Sequence, residues 1–421
     1  VVLLAATFIG GLVPFLAKPY TELPLYLQAG ARMARGEPIY RTDERAFTYP
    51  PLFAVPFAPM STLPIPVQRP LWYTINFAAL ALLVVRLRRR VIPLLKNSPP
   101  EWLFWGLVTL LAGRHILAVL ENQSHDLLVF LCAFLAIDVL CAARGKTAGL
   151  IAGLGTALKA TPLLFAPLFL WQRRWAAALC MFFTIVVGSF LPDVLFPAQD
   201  GTSWNASWYR TYLHHAKPGE SASSAAWSAW NQLNQSLAGT CYRLFTPPPD
   251  DPDRHDVTLS ALDRTSLKIV TLGCQCAAFA WLLWLSRPSM TRGLRGASLA
   301  SARLGEGAAL LTAMVLLSPT SIKTHFCVLL VPIAFCLADF LYRRRDSLVG
   351  AALLISFILG TLTVKGILAK ELGDRIMAYG TVTWCAVALY LATGRVLLER
   401  ARCASHSATP TIRSTAAREA A

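Results

Sequence analysis

AGLIAGLGTALKATPLLFAPLFLWQRR, residues 148–174, is apolar enough to lie in a membrane, yet Lys159 interrupts it and basic residues bracket it on both sides. Arg144 and Lys146 come before it, Arg173 and Arg174 close it. An ordinary crossing collects its positive charge at one end. This stretch instead reads as a segment that enters and leaves on the same side, built as two half-helices of about 11 residues, roughly 16 Å each, meeting near the bilayer middle. Pro162 marks the break, because proline donates no backbone hydrogen bond and its ring clashes one turn back. Non-helical backbone at that depth is tolerated only under a cover of protein or a wet cavity. An ammonium placed there is a functional candidate; the competing reading is a lysine that snorkels or pairs with a structural acid.

The rest of the chain supports a membrane setting. Of 421 residues, 55% are hydrophobic and 15% charged, with a mean hydropathy of +0.50, whereas soluble domains carry about 25% charged residues. The net charge of +16 falls in short clusters between apolar runs: Arg86–Arg90, Arg287–Arg303, Arg343–Arg345 and Arg395–Arg402. That is the pattern of cytoplasmic loops, and it argues against a nucleic-acid surface. The ten cysteines lie mostly inside apolar runs and read as small hydrophobes, without a disulfide framework or metal spacing.

Helices long enough to span fall near 1–17, 66–86, 102–120, 126–143, 175–192, 266–286, 306–323, 326–342, 347–368 and 376–394. With Arg86–Arg90 inside, every later basic cluster is also inside only if 148–171 does not cross. The expected fold is therefore an all-α polytopic membrane protein of about ten full spans plus one re-entrant pair, a single domain over 1–400. Two extracytoplasmic loops, about 18–65 and 193–265, and a disordered cytoplasmic tail over 401–421 complete it. Residue 1 is a valine, so a clipped first span is expected ahead of a signal-peptide remnant.

Polar residues in apolar context gather at the outer ends of these spans. They are Glu22 after the first span, Arg114 and His115 in the third, the ENQSHD that closes it, Lys159, the NQLNQSLAGT of the second outer loop, and SPTSIKTHF around Lys323. Trp204, Trp208, Trp227 and Trp230 suit either sugar stacking or headgroup anchoring. The block YPPLFAVPFAPM reads as structural, its prolines breaking an interfacial segment as it re-enters the bundle.

Five blocks now carry a resemblance: ELPLYLQAGARMARGEPIY; FTYPPLFAVPFAPMSTLP with LWYTINFAAL; the opening stretch, extended to Trp175; NQSLAGTCYRL; and LLSPTSIKTHFCVLLVP. In that order, over most of 20–340, they resemble the GT-C glycosyltransferases of family 87, which include bacterial polyprenyl-phosphate-mannose-dependent mannosyltransferases. The resemblance implies a sugar donor held on a polyprenyl phosphate, a lipid or glycan acceptor of the cell envelope, transfer with inversion, and a bacterial plasma membrane with the active site outside. The chain departs from the family pattern at Glu22, where an aspartate is usual, at Asn122–His125 in place of Gly-Gln-x-Asn, and at Thr324-His325 in place of a His pair.

The chemistry also follows from the residues. Breaking a sugar–phosphate diester turns a leaving group of about −1 into one approaching −2, so cations aimed at it favour the transition state. Lys159 is the first choice, with Arg114, Lys323 and His325 as further candidates. Glu22 is placed as the general base that takes the acceptor's proton, with Asp43 and Asp193 as rivals. Asn122, Gln123, His125, Asn231, Asn234 and Gln235 suit sugar or acceptor hydroxyls. One phosphate requires no metal or other cofactor; Asp251, Asp253 and His255 in TPPPDDPDRHD read as a solvated loop, with a metal site as the minor alternative. The alternative function is a lipid or lipid-linked-sugar transporter or flippase, since such proteins also build sites from broken helices; two related halves would mark one, and this chain shows a single broken pair.

Overall fold

A computed structural model of the chain describes residues 2–17, 21–41, 47–95, 99–215, 230–247, 255–363 and 367–407. Among these, every regular element is helical. In chain order they are α1 (Val2–Ala17), α2 (Leu23–Ala34), α3 (Phe57–Met60), α4 (Ile65–Val91), α5 (Glu101–Glu121), α6 (Asp126–Cys141), α7 (Gly145–Leu158), α8 (Phe165–Trp171) and α9 (Trp175–Leu195). Then come α10 (Trp204–Thr211), α11 (Leu237–Phe245), α12 (Arg264–Leu285), α13 (Gly296–Leu317), α14 (Leu330–Tyr342), α15 (Ser347–Phe357), α16 (Lys370–Ala378) and α17 (Thr381–Ser407). Seven helices of the described residues are long and apolar enough to cross a membrane.

The opening stretch folds as a hairpin inside this bundle. α7 ends at Leu158, Lys159 is extended at φ −156°, and a 3-10 turn over Thr161–Leu164 with Pro162 leads into α8. Gly149 lies against Ala177 and Gly153 against Met181, while Gly188 lies against Ala157. Rising numbers on α7 therefore meet rising numbers on α9, so the two helices are parallel and α8 has to return the chain to its starting level. Lipid supplies no hydrophobic force between helices, so close backbone approach through small residues does the packing. A Cβ added at Gly149 would stand 2.1 Å from the Ala177 carbonyl oxygen, and one at Gly153 2.6 Å from that of Met181. On the other face of α7, Gly155 meets Cys132 and Lys159 meets Asp126, so α6 runs antiparallel to it.

Three boundaries differ from the sequence reading. The span expected from 306 is α13, which starts at Gly296 because Arg303 and Glu306, three apart, pair at 2.5 Å and enter the buried helix together. α13 then stops at Leu317, before Ser318-Pro319, and the chain re-forms as a 3-10 turn from Lys323. At the C-terminus α17 continues through Ser407, so 401–407 are helical. The first loop is also more embedded than a solvent segment: Tyr26, Phe53 and Phe57 are fully buried, and Leu52 lies against the α7–α9 contact at Gly188.

The ends of the bundle differ in charge. Arg90 and Arg86 at the end of α4 pair with Asp138, Arg343 and Arg400 share Asp339, and Arg395 pairs with Asp346. Asp138 and Asp126 lie on the same helix, 12 residues and about 18 Å apart. Asp126 thus belongs to the other end.

Candidate active site

At that other end the turn between α5 and α6 organises the site. Gln123 takes the left-handed conformation, φ 54°, and Ser124 N–H bonds back to the Val119 carbonyl at 3.0 Å, closing α5. The Asn122 carbonyl accepts from Thr21 Oγ1 at 2.5 Å and from Glu22 N–H at 3.3 Å, and the Gln123 carbonyl accepts from Trp72 Nε1 at 2.8 Å. The turn therefore fixes the start of α2, with Glu22 at its N-cap, beside the start of α6.

Two linked groups result. In the first, the Tyr26 hydroxyl donates to the Glu22 carboxylate and lies 2.9 Å from His125 Nδ1. The hydroxyl has one proton, so His125 is the donor in the second contact and carries its hydrogen on Nδ1. Burial and the nearby Glu22 hold the Tyr26 phenol well above its usual range. Burial and then Lys159 hold the His125 imidazole well below its own, so it is neutral. Tyr49 and Phe53 wall His125, with ring centroids 4.3 and 4.4 Å away.

In the second group Lys159 Nζ lies 2.5 Å from Asp126 Oδ1 and 2.9 Å from His325 Nε2, and His325 Nε2 is 3.8 Å from the same carboxylate oxygen. An ammonium only donates, so Nε2 accepts and the His325 proton sits on Nδ1, which has no partner among the described residues. Ser124 Oγ donates to the other Asp126 oxygen at 2.8 Å. Helix dipoles favour this arrangement, with a carboxylate at the first turn of α6 and a cation just past the end of α7. Tyr49 joins the groups, with Lys159 Nζ 5.8 Å from its ring centroid. Asp126, Lys159, Thr161, Ser321 and His325 line a cavity of about 20 Å³, room for little more than a water.

Not every expected residue comes here. Arg114 pairs with Glu121 at 3.0 Å and, with His115, Lys323 and Thr381, lines a separate cavity of about 10 Å³. The Asn122 amide is spent on the Ala118 carbonyl. Gln123 Oε1 accepts from Thr21 N–H at 3.4 Å. The loop amides tie backbone: Asn231 Oδ1 accepts from Leu233 N–H, Asn234 Oδ1 from Ser236 and Ser321 N–H, and Gln235 bonds Met377 and Val382. Asn234 and Gln235 are completely buried, so they pin the second loop rather than face a sugar. Of the rival bases, Asp193 caps α10 through Ser203 and Trp204, and Asp43 lies outside the described residues. So do Asp251, Asp253 and Trp227. His255 is described, in the chain ahead of α12. Trp204 and Trp208 bond the Phe196 and Thr48 carbonyls and so hold α10 down.

From the sequence, Asp126 stands inside ENQSHD without a role, Tyr49 is not singled out, and Tyr26 enters only as the tyrosine four residues after Glu22 in the family resemblance. The available signal was an acid opening one apolar helix and a lysine closing the next.

A helical bundle with seven crossing-length helices and a closed polar corner at one end is a multi-pass membrane protein. The profile of glycosyltransferase family 87 matches residues 47–319. The chain belongs to that family, and the resemblance read from its five blocks is borne out; it is a glycosyltransferase. Over 414 residues, 91% of this chain and 85% of the relative, it is 25% identical to a polyprenol-phosphate-mannose-dependent alpha-(1-2)-phosphatidylinositol mannoside mannosyltransferase of Mycolicibacterium smegmatis. A protein of the same description from Mycobacterium tuberculosis is 30% identical over 209 residues, 47% of this chain and 45% of that one. A polyprenol-phosphate-mannose-dependent alpha-(1-2)-phosphatidylinositol pentamannoside mannosyltransferase of M. smegmatis is 29% identical over 181 residues, 38% of this chain and 42% of that one. In the last two matches the chain spans less than half the length of the relative. No solved structure matches the chain.

Proposed function

We propose that this chain moves a mannosyl residue, or a closely related sugar, from a polyprenyl-phosphate donor to a glycolipid or glycan of the cell envelope, with inversion. The polyprenol-phosphate-mannose dependence of three relatives supports that donor. The fold is of the GT-C kind, the membrane is the bacterial plasma membrane, and the reaction takes place on its outer face; the basic clusters gathered at the opposite end support that orientation.

Glu22 takes the proton of the acceptor hydroxyl as its oxygen attacks the anomeric carbon. The bond from that carbon to the phosphate oxygen breaks, and its electron pair leaves with the polyprenyl phosphate. Lys159 stabilises the departing phosphate. Two of its three N–H bonds go to Asp126 and His325, which leaves one to aim at an anion. Asp126 holds the ammonium in place, His325 borders the same phosphate, and Arg114 and Lys323 flank its path. No metal or other cofactor is needed for a single phosphate. The observation that carries the reading is the placement of Lys159 beside Asp126 and His325, joined through Tyr49 to the Glu22–Tyr26–His125 chain.

The test is to incubate the purified protein with polyprenyl-phosphate mannose and a panel of phosphatidylinositol mannosides, reading products by mass spectrometry. A product one hexose heavier supports the proposal. No consumption of any polyprenyl-phosphate sugar, with lipid crossing a vesicle bilayer instead, overturns it in favour of a flippase.

A further inference from the structure

The basic end of the bundle holds a much larger opening than either cavity near Lys159. A cleft of about 500 Å³ lies between the connection from α12 to α13, the first half of α13 and the ends of α14 and α17. That volume is in the range of small-molecule sites. Its apolar wall includes Met290, Leu294 and Leu397, and its charged wall is Arg295, Arg343, Arg400 and Glu306.

Most of that charge is already engaged. Arg400 donates to Asp339 and Ser301, and Arg343 shares Asp339. Arg303 lies behind Glu306 and pairs with it. Arg295 is exposed and makes no ion pair among the described residues. Counting the three lining arginines and Arg303 against Glu306 and the shared Asp339 leaves a surplus of two positive charges, and exposed Arg292 stands in the same connection as Arg295.

The second observation is at the buried end of the cleft. Glu306, with a side chain only 5% exposed, accepts from Arg303 and Gln172 through Oε2, while Oε1 has no partner among the described residues. A buried carboxylate oxygen without a donor is costly. The cleft thus offers cations at its mouth, an unfilled acceptor at its end and an apolar flank between helices.

We infer that this cleft is a binding site for the headgroup of an anionic phospholipid that carries a free hydroxyl, its phosphate set against Arg295 and Arg343 and its hydroxyl donating to Glu306 Oε1. Basic pockets between helix ends on the positive side of membrane proteins suit such headgroups. The apolar flank selects the lipid over a soluble phosphate. The site lies at the opposite end of the bundle from Lys159 and does not depend on the donor or acceptor proposed above. Its occupation ties the last turns of α17 to α13.

The full chain, purified in detergent, would be mixed with equal amounts of dioleoyl phosphatidylglycerol and dioleoyl phosphatidylcholine and examined by native mass spectrometry. Phosphatidylglycerol is expected to be retained and phosphatidylcholine lost. An arginine set against the bound headgroup is worth a factor of about five, the scale of one basic residue at an anionic membrane surface, so the Arg295→Gln/Arg343→Gln variant should retain phosphatidylglycerol about 25-fold less well. An Arg89→Gln/Arg345→Gln control, at the same end but outside the lining, should bind as the parent does. An equal loss in that control means diffuse attraction and overturns the site, as does equal retention of the two lipids. Thermal stabilisation by glycerol 3-phosphate or inorganic phosphate as large as that by phosphatidylglycerol overturns the lipid assignment. Because Arg295 is exposed and has no ion pair to lose among the described residues, Arg295→Gln alone separates binding from folding and should give about a fivefold loss.

Discussion

The Lys159 ammonium, just past the end of α7, lies 2.5 Å from the Asp126 carboxylate that opens α6. The pair joins helices that run in opposite directions, and its members are 12% and 5% exposed. Breaking one side of a buried pair costs about 3–5 kcal/mol, because the remaining charge is stranded. Asp126→Asn and Lys159→Met should each lower the melting temperature. The double variant Asp126→Leu/Lys159→Met should recover most of it, since replacing a buried pair with apolar side chains is often neutral. Activity should not return with stability. Recovery of both in the double variant would make the pair purely structural.

Tyr26→Phe removes the hydroxyl between Glu22 and His125 without changing the packed ring. Loss of a bond to a charged acceptor is worth about 1.5–3 kcal/mol, so turnover should fall roughly 10- to 150-fold if Glu22 acts as the base. KM for the donor should move little, because the phenol touches the proton-transfer side. Steady-state kinetics with both substrates varied would check the split.

Acid should destabilise the protein through His125. Burial and Lys159 hold the folded imidazole well below its ordinary 6.5. Between the two values the unfolded chain binds the proton and the folded chain does not, so stability rises with pH there. The contribution is complete above about pH 6.5 and is lost as pH falls below it, by up to about 1.4 kcal/mol per unit. Melting curves from pH 7.5 to 5 should show the slope, and His125→Gln should flatten it.

Gly153→Leu should damage the hairpin more than a similar change at a lipid-facing position. An added Cβ already stands 2.6 Å from the Met181 oxygen and 2.7 Å from Thr184 Cβ. Overpacking costs about 1–3 kcal/mol, and more where backbone is the obstacle. Leu179→Ala, on the exposed face of α9, should leave the melting temperature nearly unchanged.

The hairpin was legible because its signals are local: Lys159 and Pro162 inside an apolar run, and charge at both ends. The partner of Lys159 was not, because Asp126 is 33 residues away in sequence, and only the antiparallel fit of α6 and α7 brings them together. The start of α13 was misplaced for a similar reason. Arg303 and Glu306 look like loop charges until helical spacing puts them side by side. Asn234 and Gln235 looked like sugar ligands because amides suit hydroxyls, but the same groups satisfy backbone when a loop is buried. Glu22 and Tyr26 stand four apart in the sequence, but that the Tyr26 hydroxyl links Glu22 to His125 shows only in the fold.

The most direct measurement is single-turnover transfer of labelled mannose from polyprenyl-phosphate mannose to a phosphatidylinositol mannoside, comparing parent, Glu22→Gln and Lys159→Ala under saturating donor. The assignment of Glu22 as base and Lys159 as phosphate partner requires both variants to bind donor and each to transfer at least about 100-fold more slowly, the usual scale for losing a general base or an electrostatic stabiliser. Transfer at the parental rate by either folded variant would contradict it.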